Sequence, residues 1–487
     1  MRRMTSVVRL AVCGAVIGLP ACSDDGGGGS GGGDAGTDTD TDTDTDTGTD
    51  TDTDADGGDG YVPDPVTMGQ QLPPVIPVVK VDVGGQPIEL DVDVAGTIEV
   101  FEDHDGTLDD LAELTPTFSA AIAFQGRGNF TWSLPKKGYA FELQDGASNA
   151  LDQELLGMPA GSDFALYACY TDKTCLRNAL VFALGQQLGR WSPRTRFVEL
   201  FIDDQYQGLY MIWERIRRDA ARVDLPKPAD SSASGDISGG YIIRHEGGGK
   251  GEGGDFLTTS DRVYTYHYPN EADITTEQAA YIRGAVQQLE DALQANPADY
   301  ATGLDVMSWI DRGIVEEVTN NWDGYVHSIY MTKDADDVGG RWGMGPLWDF
   351  DLAFGNGNVT GYNCETDVWA YQIVRGYPDD VPTYWLALYA DASFQHAWKC
   401  RYQDLRADAL ALATFEARIA AWITFTAAAR ARDQDIWPTI GMPLFPNCTE
   451  EPTYDADVTY LHDWIAARLT WLDAQAAAMP GTCFSQP

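Results

Sequence analysis

Basic residues are scarce in this chain: Lys and Arg together number 32 against 75 Asp and Glu, a formal net charge of −43. No basic face can balance such an excess, so no nucleic-acid partner is expected. Histidine is sparser still, with six residues scattered without metal-ligand spacing. No close Cys-x-x-Cys pair or Cys/His cluster occurs, which argues against structural zinc. HExxH and a Walker-type glycine loop are also missing, and GxSxG occurs only inside the low-complexity glycine run at 26–33, so hydrolase and P-loop readings lose ground. No apolar run is long enough to span a bilayer. Asp103-His104-Asp105-Gly106 has the look of a calcium loop, but Phe101 stands where the first EF-hand ligand belongs, and it is read as a plain turn.

The N-terminus does carry a short export-type pattern. Arg2 and Arg3 precede an apolar run from Val7 to Leu19, and Leu19-Pro20-Ala21-Cys22 resembles the bacterial lipobox, in which the cysteine is lipidated after cleavage. Residues 1–22 are therefore expected to be a lipoprotein signal peptide, and the mature chain to lie outside the cytoplasm, held to a membrane through lipid on Cys22 only. Residues 23–60 are Gly, Asp and Thr, including the Thr-Asp repeat from Thr37 to Asp54. Such a segment cannot bury enough apolar area to offset chain entropy and is expected to be a disordered spacer. Of the eight cysteines, Cys13 falls in the signal and Cys22 at the lipobox. Cys169, Cys175, Cys364, Cys400, Cys448 and Cys483 remain, an even number that suggests up to three disulfides in an oxidising compartment. By spacing, Cys169 and Cys175 form the natural local pair.

Residues 61–487 hold the folded domain, and with 44% hydrophobic residues and 14 Trp in the chain they can bury a large core. Alternating segments at Val78–Val83, Ile88–Val94, Phe118–Phe124 and Tyr139–Leu143 read as strands. Asp172–Leu188 has helical spacing, while Phe197–Ile202 and Gly208–Glu214 read as strands around a turn at Asp203-Asp204. Later the helical stripes dominate: Ile282, Val286, Leu289 and Leu293 behind a capping box at Thr275 and Gln278, then Val306, Ile310 and Ile314, and finally Val458, Leu461, Ile465, Leu469 and Leu472. These stripes are core. A sheet-rich N-terminal part followed by a helical C-terminal part is an α+β layout, with a cleft expected where the parts meet.

Three polar clusters sit at the ends of apolar elements, where working groups are usually placed. The first is Arg127-Gly128-Asn129-Phe130-Thr131-Trp132 followed by Pro135-Lys136-Lys137-Gly138-Tyr139. Adjacent lysines entering a strand point to opposite faces, so either one faces the cleft and attracts a phosphate or both are simply solvated. The second cluster is Asn320-Asn321-Trp322-Asp323-Gly324, at a helix end. The third is Pro346-Leu347-Trp348-Asp349-Phe350-Asp351-Leu352-Ala353-Phe354-Gly355. Two carboxylates one residue apart among large aromatics are costly to bury unless paired or metal-bound, and hard-oxygen magnesium sites use such carboxylates.

Taken in order, these segments resemble the CotH (spore coat protein H) kinase family, an atypical relative of protein kinases. The resemblance runs from about residue 75 to 475. It includes Arg127-Gly128-Asn129, Pro135-Lys136-Lys137-Gly138-Tyr139, Thr171-Asp172-Lys173-Thr174 with Arg177-Asn178, Gln207-Gly208-Leu209-Tyr210 with Glu214, and Gly239-Gly240-Tyr241. Asn321-Trp322-Asp323 and the segment around Asp349 complete the series. It implies a two-lobed kinase-like fold and a protein kinase that moves phosphate from ATP, with Mg2+ or Mn2+, to Ser or Thr of a secreted or surface protein. In that reading Lys136, Lys137, Arg127 and Glu214 serve the nucleotide, with one of the two lysines on its phosphates. Asp323 accepts the hydroxyl proton, and Asp349 and Asp351 hold metal. Ser328 stands five residues after Asp323, where a typical kinase has Asn. The alternative is a catalytically silent scaffold or adhesion module on the same fold.

Overall fold

The computed structural model describes residues 61–483 except 109–110, 129, 247–254, 258–261, 360–361 and 374–379. The lipobox with Cys22, the spacer and Asn129 lie outside the described residues. The first half is built on a closed barrel, a more specific architecture than the sheet-rich part expected. Its strands are β1 (Val78–Asp82), β2 (Val94–Phe101), β3 (Phe118–Arg127), β4 (Gly138–Gln144), β7 (Asp163–Tyr167), β8 (Thr195–Ile202) and β9 (Gln205–Glu214), in the order β1-β2-β3-β4-β7-β9-β8. A small ribbon of β5 (Gln153–Leu155) and β6 (Met158–Gly161) interrupts the run. Neighbours pair antiparallel except at the closure, where β1 runs parallel to β8.

Period-two alternation fills the barrel. Val79, Val81, Ile98, Val100, Ile122, Phe124, Phe141, Leu143, Phe164, Leu166, Val198, Leu200 and Ile212 form its interior. On β8 and β9 the opposite face is apolar too, with Phe197, Leu209, Met211 and Trp213 joining the main helical core. The β8–β9 turn has Asp203 and Asp204 both at positive φ, the two-residue hairpin geometry that suits Asp. Ile88–Val94 is not a full strand. Asp91 turns back at φ 54°, leaving only isolated bridges at Glu89–Val92 and Leu90–Gly126 before β2 begins at Val94.

A second, five-stranded sheet has the order β11-β12-β10-β13-β14, from β10 (Tyr241–Glu246), β11 (Asp255–Leu257), β12 (Val263–Tyr268), β13 (Ile329–Lys333) and β14 (Trp342–Met344). The helices are α1 (Arg177–Gln187), α2 (Thr276–Ala295), α3 (Val306–Thr319), α4 (Thr383–Ala390), α5 (Ala392–Arg406), α6 (Leu412–Phe425), α7 (Ala427–Ile436) and α8 (Tyr454–Ala478). The capping box forms at Thr275 and Gln278. Helix α3 starts on the Asp305 side chain and stops at Asn320 in the left-handed conformation, φ 43°. Helix α1 is buried along nearly its whole length and joins the barrel to the helical part through one shared core. No helix among the described residues is long and apolar enough to cross a membrane. Three disulfides join the six cysteines as Cys169–Cys175, Cys364–Cys448 and Cys400–Cys483.

Candidate active site

The segment after β14 carries Asp349, Phe350 and Asp351 into the region where α1, the α3–β13 turn and the end of β3 meet. Its backbone is fixed from below: the Phe350 amide donates to Asn178 Oδ1 at 2.9 Å, and Arg177 Nε donates to the Ala353 carbonyl at 3.0 Å. Phe350 is fully buried, so the triplet is anchored by its centre while the flanking carboxyls turn elsewhere. Asp349 itself sits at φ 68°. Backbone strain of that kind in a non-glycine residue persists only where surrounding contacts over-determine it.

Contacts from the α3–β13 turn supply much of that support. Asn321 Nδ2 donates to the Asp349 carbonyl at 2.9 Å, and Ser328 Oγ donates to Asp349 Oδ2 at 3.2 Å. Ser328 is also left-handed, φ 53°. The Asn321 Oδ1 atom is buried with no hydrogen-bond partner among the described residues. Asp323 opens this turn, its carbonyl accepting from the amides of Val326 and His327 at 3.0 and 2.8 Å. On the other side the loop closed by Cys169–Cys175 brings Thr171 Oγ1 to Asp351 Oδ2 at 3.4 Å and places Asp172 nearby, paired with Arg177 at 2.6 Å. Asn356 and Asn447 lace the same loop to the segment, both donating to the Thr171 carbonyl.

Burial raises the proton affinity of both carboxyls. For Asp349 the Arg127 guanidinium works against burial, Glu246 adds to it, and the Ser328 hydrogen bond and His327 oppose it. Asp351, 6% exposed, is pushed up to about 8 by burial and then by the charges of Asp349 and Asp172. The Tyr167 hydroxyl lies buried in the same field, without a hydrogen-bond partner among the described residues. Hard oxygen donors, two of them carboxylates short of positive charge, together with an unpaired buried amide oxygen suit a divalent cation such as Mg2+ or Mn2+.

The remaining candidates divide. Arg127, at the end of β3, stacks over Trp348 at 5.4 Å and acts on Asp349. Lys136 is turned away: it is 2% exposed, donates to the Leu209 carbonyl at 2.6 Å and Asp433 at 2.7 Å, and lies over Tyr210 at 4.6 Å. Lys137 lies over Trp132 at 5.1 Å and donates to its carbonyl. Neither lysine is among the leading charges acting on the acidic pair. Glu214 is fully buried between Arg194 and Arg222, at 3.0 and 3.1 Å.

Sequence reasoning missed Glu246, the last residue of β10. Its side chain meets the Ser328 amide at 3.4 Å and His327 Nδ1 at 3.5 Å. The available signal was its place at a strand end immediately before the glycine-rich run 247–254. The profile of a family described as CotH kinase protein matches residues 124–472. A search of curated proteins returns no match.

Proposed function

The chain belongs to the CotH kinase family, and from that premise we propose that it is an atypical protein kinase, transferring the terminal phosphate of ATP to Ser or Thr of an extracytoplasmic protein. The barrel would stand for the smaller lobe of a two-lobed kinase and the helical part for the larger, with the Asp349 segment between them. The observation that carries the reading is the convergence of Asp349, Asp351 and Arg127 with the turn that bears Asp323 and Ser328. Phosphoryl transfer asks a protein mainly for positioning and charge compensation, which this constellation is suited to provide.

Asp349 and Asp351 would hold Mg2+ or Mn2+, with Ser328 or Asn321 Oδ1 as a neutral donor. An ion held by these residues would supply neutralisation of the charge on the transferring phosphoryl group. Arg127 takes the phosphate side in place of either lysine, because Lys136 is pinned by Asp433 and Lys137 by the Trp132 carbonyl. Asp323 accepts the proton of the attacking hydroxyl. The disulfides favour an oxidising compartment, and Cys22 would provide the lipid anchor.

Transfer of labelled phosphate from ATP to acceptor proteins by the 61–487 fragment tests this. Asp323→Ala should abolish transfer while sparing ATP binding, since its partner is the acceptor hydroxyl. Equal transfer by parent and Asp323→Ala would remove the assigned base. No metal-dependent ATP binding by the parent would favour the silent scaffold.

A further inference from the structure

Resting on that reading of the site, we infer that Glu246 is a third carboxylate ligand of the divalent ion, adding a donor where Ser328 stands in place of a kinase Asn. Strand pairing places it. β10 and β13 run antiparallel with His245 opposite Ile329, so Glu246 falls opposite Ser328 at the mouth of the turn. Left-handed Ser328 then points two groups at two different carboxylates: its Oγ donates to Asp349 Oδ2 at 3.2 Å and its amide faces Glu246 Oε2 at 3.4 Å. One residue thus brackets the gap between the two side chains, and Glu246 is close enough to add to the proton affinity of Asp349.

The two Glu246 oxygens are differently employed. Oε1 pairs with Arg244 at 2.9 Å, whereas Oε2 faces the Ser328 amide and His327 Nδ1 at 3.5 Å. The carboxylate is 21% exposed, so a hydrated ion can reach it without unfolding the strand. Arg244 is the cation paired with it in the free protein. A donor set of Asp349, Asp351 and Glu246 carries more negative charge than the two-carboxylate set of the resemblance, and ligand charge count raises affinity for a hard divalent cation. The ion should therefore bind this protein measurably before any nucleotide arrives.

Binding of Mn2+ alone, read from the loss of the free-ion electron paramagnetic resonance signal, tests the assignment in the 61–487 fragment. The parent should bind Mn2+ without nucleotide, and Glu246→Gln should weaken it roughly tenfold or more, the scale on which metal sites respond to a lost supporting group. Arg244→Gln, which frees the same carboxylate, should tighten binding. These opposite directions separate a ligand from a residue that merely supports the fold, and unchanged melting curves check that both variants are folded. Equal Mn2+ affinity in parent and Glu246→Gln overturns the inference, as does failure of the parent to bind Mn2+ alone while it binds Mn-ATP. In both cases the kinase reading survives. A parent that binds neither Mn2+ nor Mn-ATP overturns both.

Discussion

The ion pair beneath the acidic triplet gives a sharp test of how the site is supported. Asp172 and Arg177 are 0% and 1% exposed and 2.6 Å apart, and Arg177 also holds the Ala353 carbonyl. Arg177→Met keeps most of the side-chain volume but leaves Asp172 buried and unpaired, facing the charges of Asp351 and Asp457. Removing one partner of a buried pair costs about 3–5 kcal/mol, mostly through the stranded charge. Unfolding entropy of about 2.1 cal/mol/K per residue gives roughly 0.9 kcal/mol/K for a domain of this size, so the melting temperature should fall by about 3–6 °C. Asp172→Asn in the Arg177→Met background should recover part of the loss, because no ionised group is then left unpaired. Calorimetric melts of the parent, both single variants and the double variant measure the cycle. An Arg177→Met protein as stable as the parent, or a double variant whose loss equals the sum of the singles, refutes the reasoning.

Other outcomes follow from separate features. Cys364–Cys448 closes a loop with sequence separation 84 and Cys169–Cys175 one with separation 6, so chain entropy assigns them about 4.6 and roughly 2.4 kcal/mol; removing each pair with serine, followed by denaturant titration, should rank them in that order. His245 is fully buried and His267 half-buried, and desolvation lowers their proton affinities, to about 3 and about 4. The unfolded chain binds their protons first as pH falls below 6.5, so stability is full above that pH and declines toward pH 4, by up to about 1.4 kcal/mol per pH unit for each histidine. Melting temperatures across this range check the slope, and a flat profile in His245→Gln and parent alike counts against the burial argument. Lys136→Met should lower stability by roughly 3 kcal/mol, through the stranded Asp433, yet leave ATP affinity within about twofold; a large loss of ATP binding at unchanged stability would return the phosphate role to Lys136.

Much of the fold was legible because its signals are local. Strand alternation at Val78–Asp82 and Phe118–Arg127, the Asp203-Asp204 hairpin and the Thr275 capping box each depend on residues within a few positions of one another. Barrel closure was not legible, since the β1–β8 pairing joins segments more than a hundred residues apart and leaves no periodic mark. The same distinction governs the site. Asp349 and Asp351 stood out as carboxylates among aromatics. Which cation faces them depends on where β3 ends in space, and a Lys-Lys pair at a strand start carries no sign that one member will be claimed by Asp433, 297 positions away. Glu246 was hidden for the same reason: its relation to Ser328 exists only through the pairing of β10 with β13.

The most direct measurement is a calorimetric titration of ATP into the 61–487 fragment with and without Mg2+, on the parent and on Asp349→Ala. Buried carboxylates and an anionic ligand at one place repel unless a cation joins them, and coupling between two ligands is reciprocal. Nucleotide and metal should therefore bind together far better than either does alone, and Asp349→Ala should lose that coupling. ATP binding that is absent in the parent, or that proceeds equally well without the metal and in Asp349→Ala, would contradict a kinase centred on Asp349.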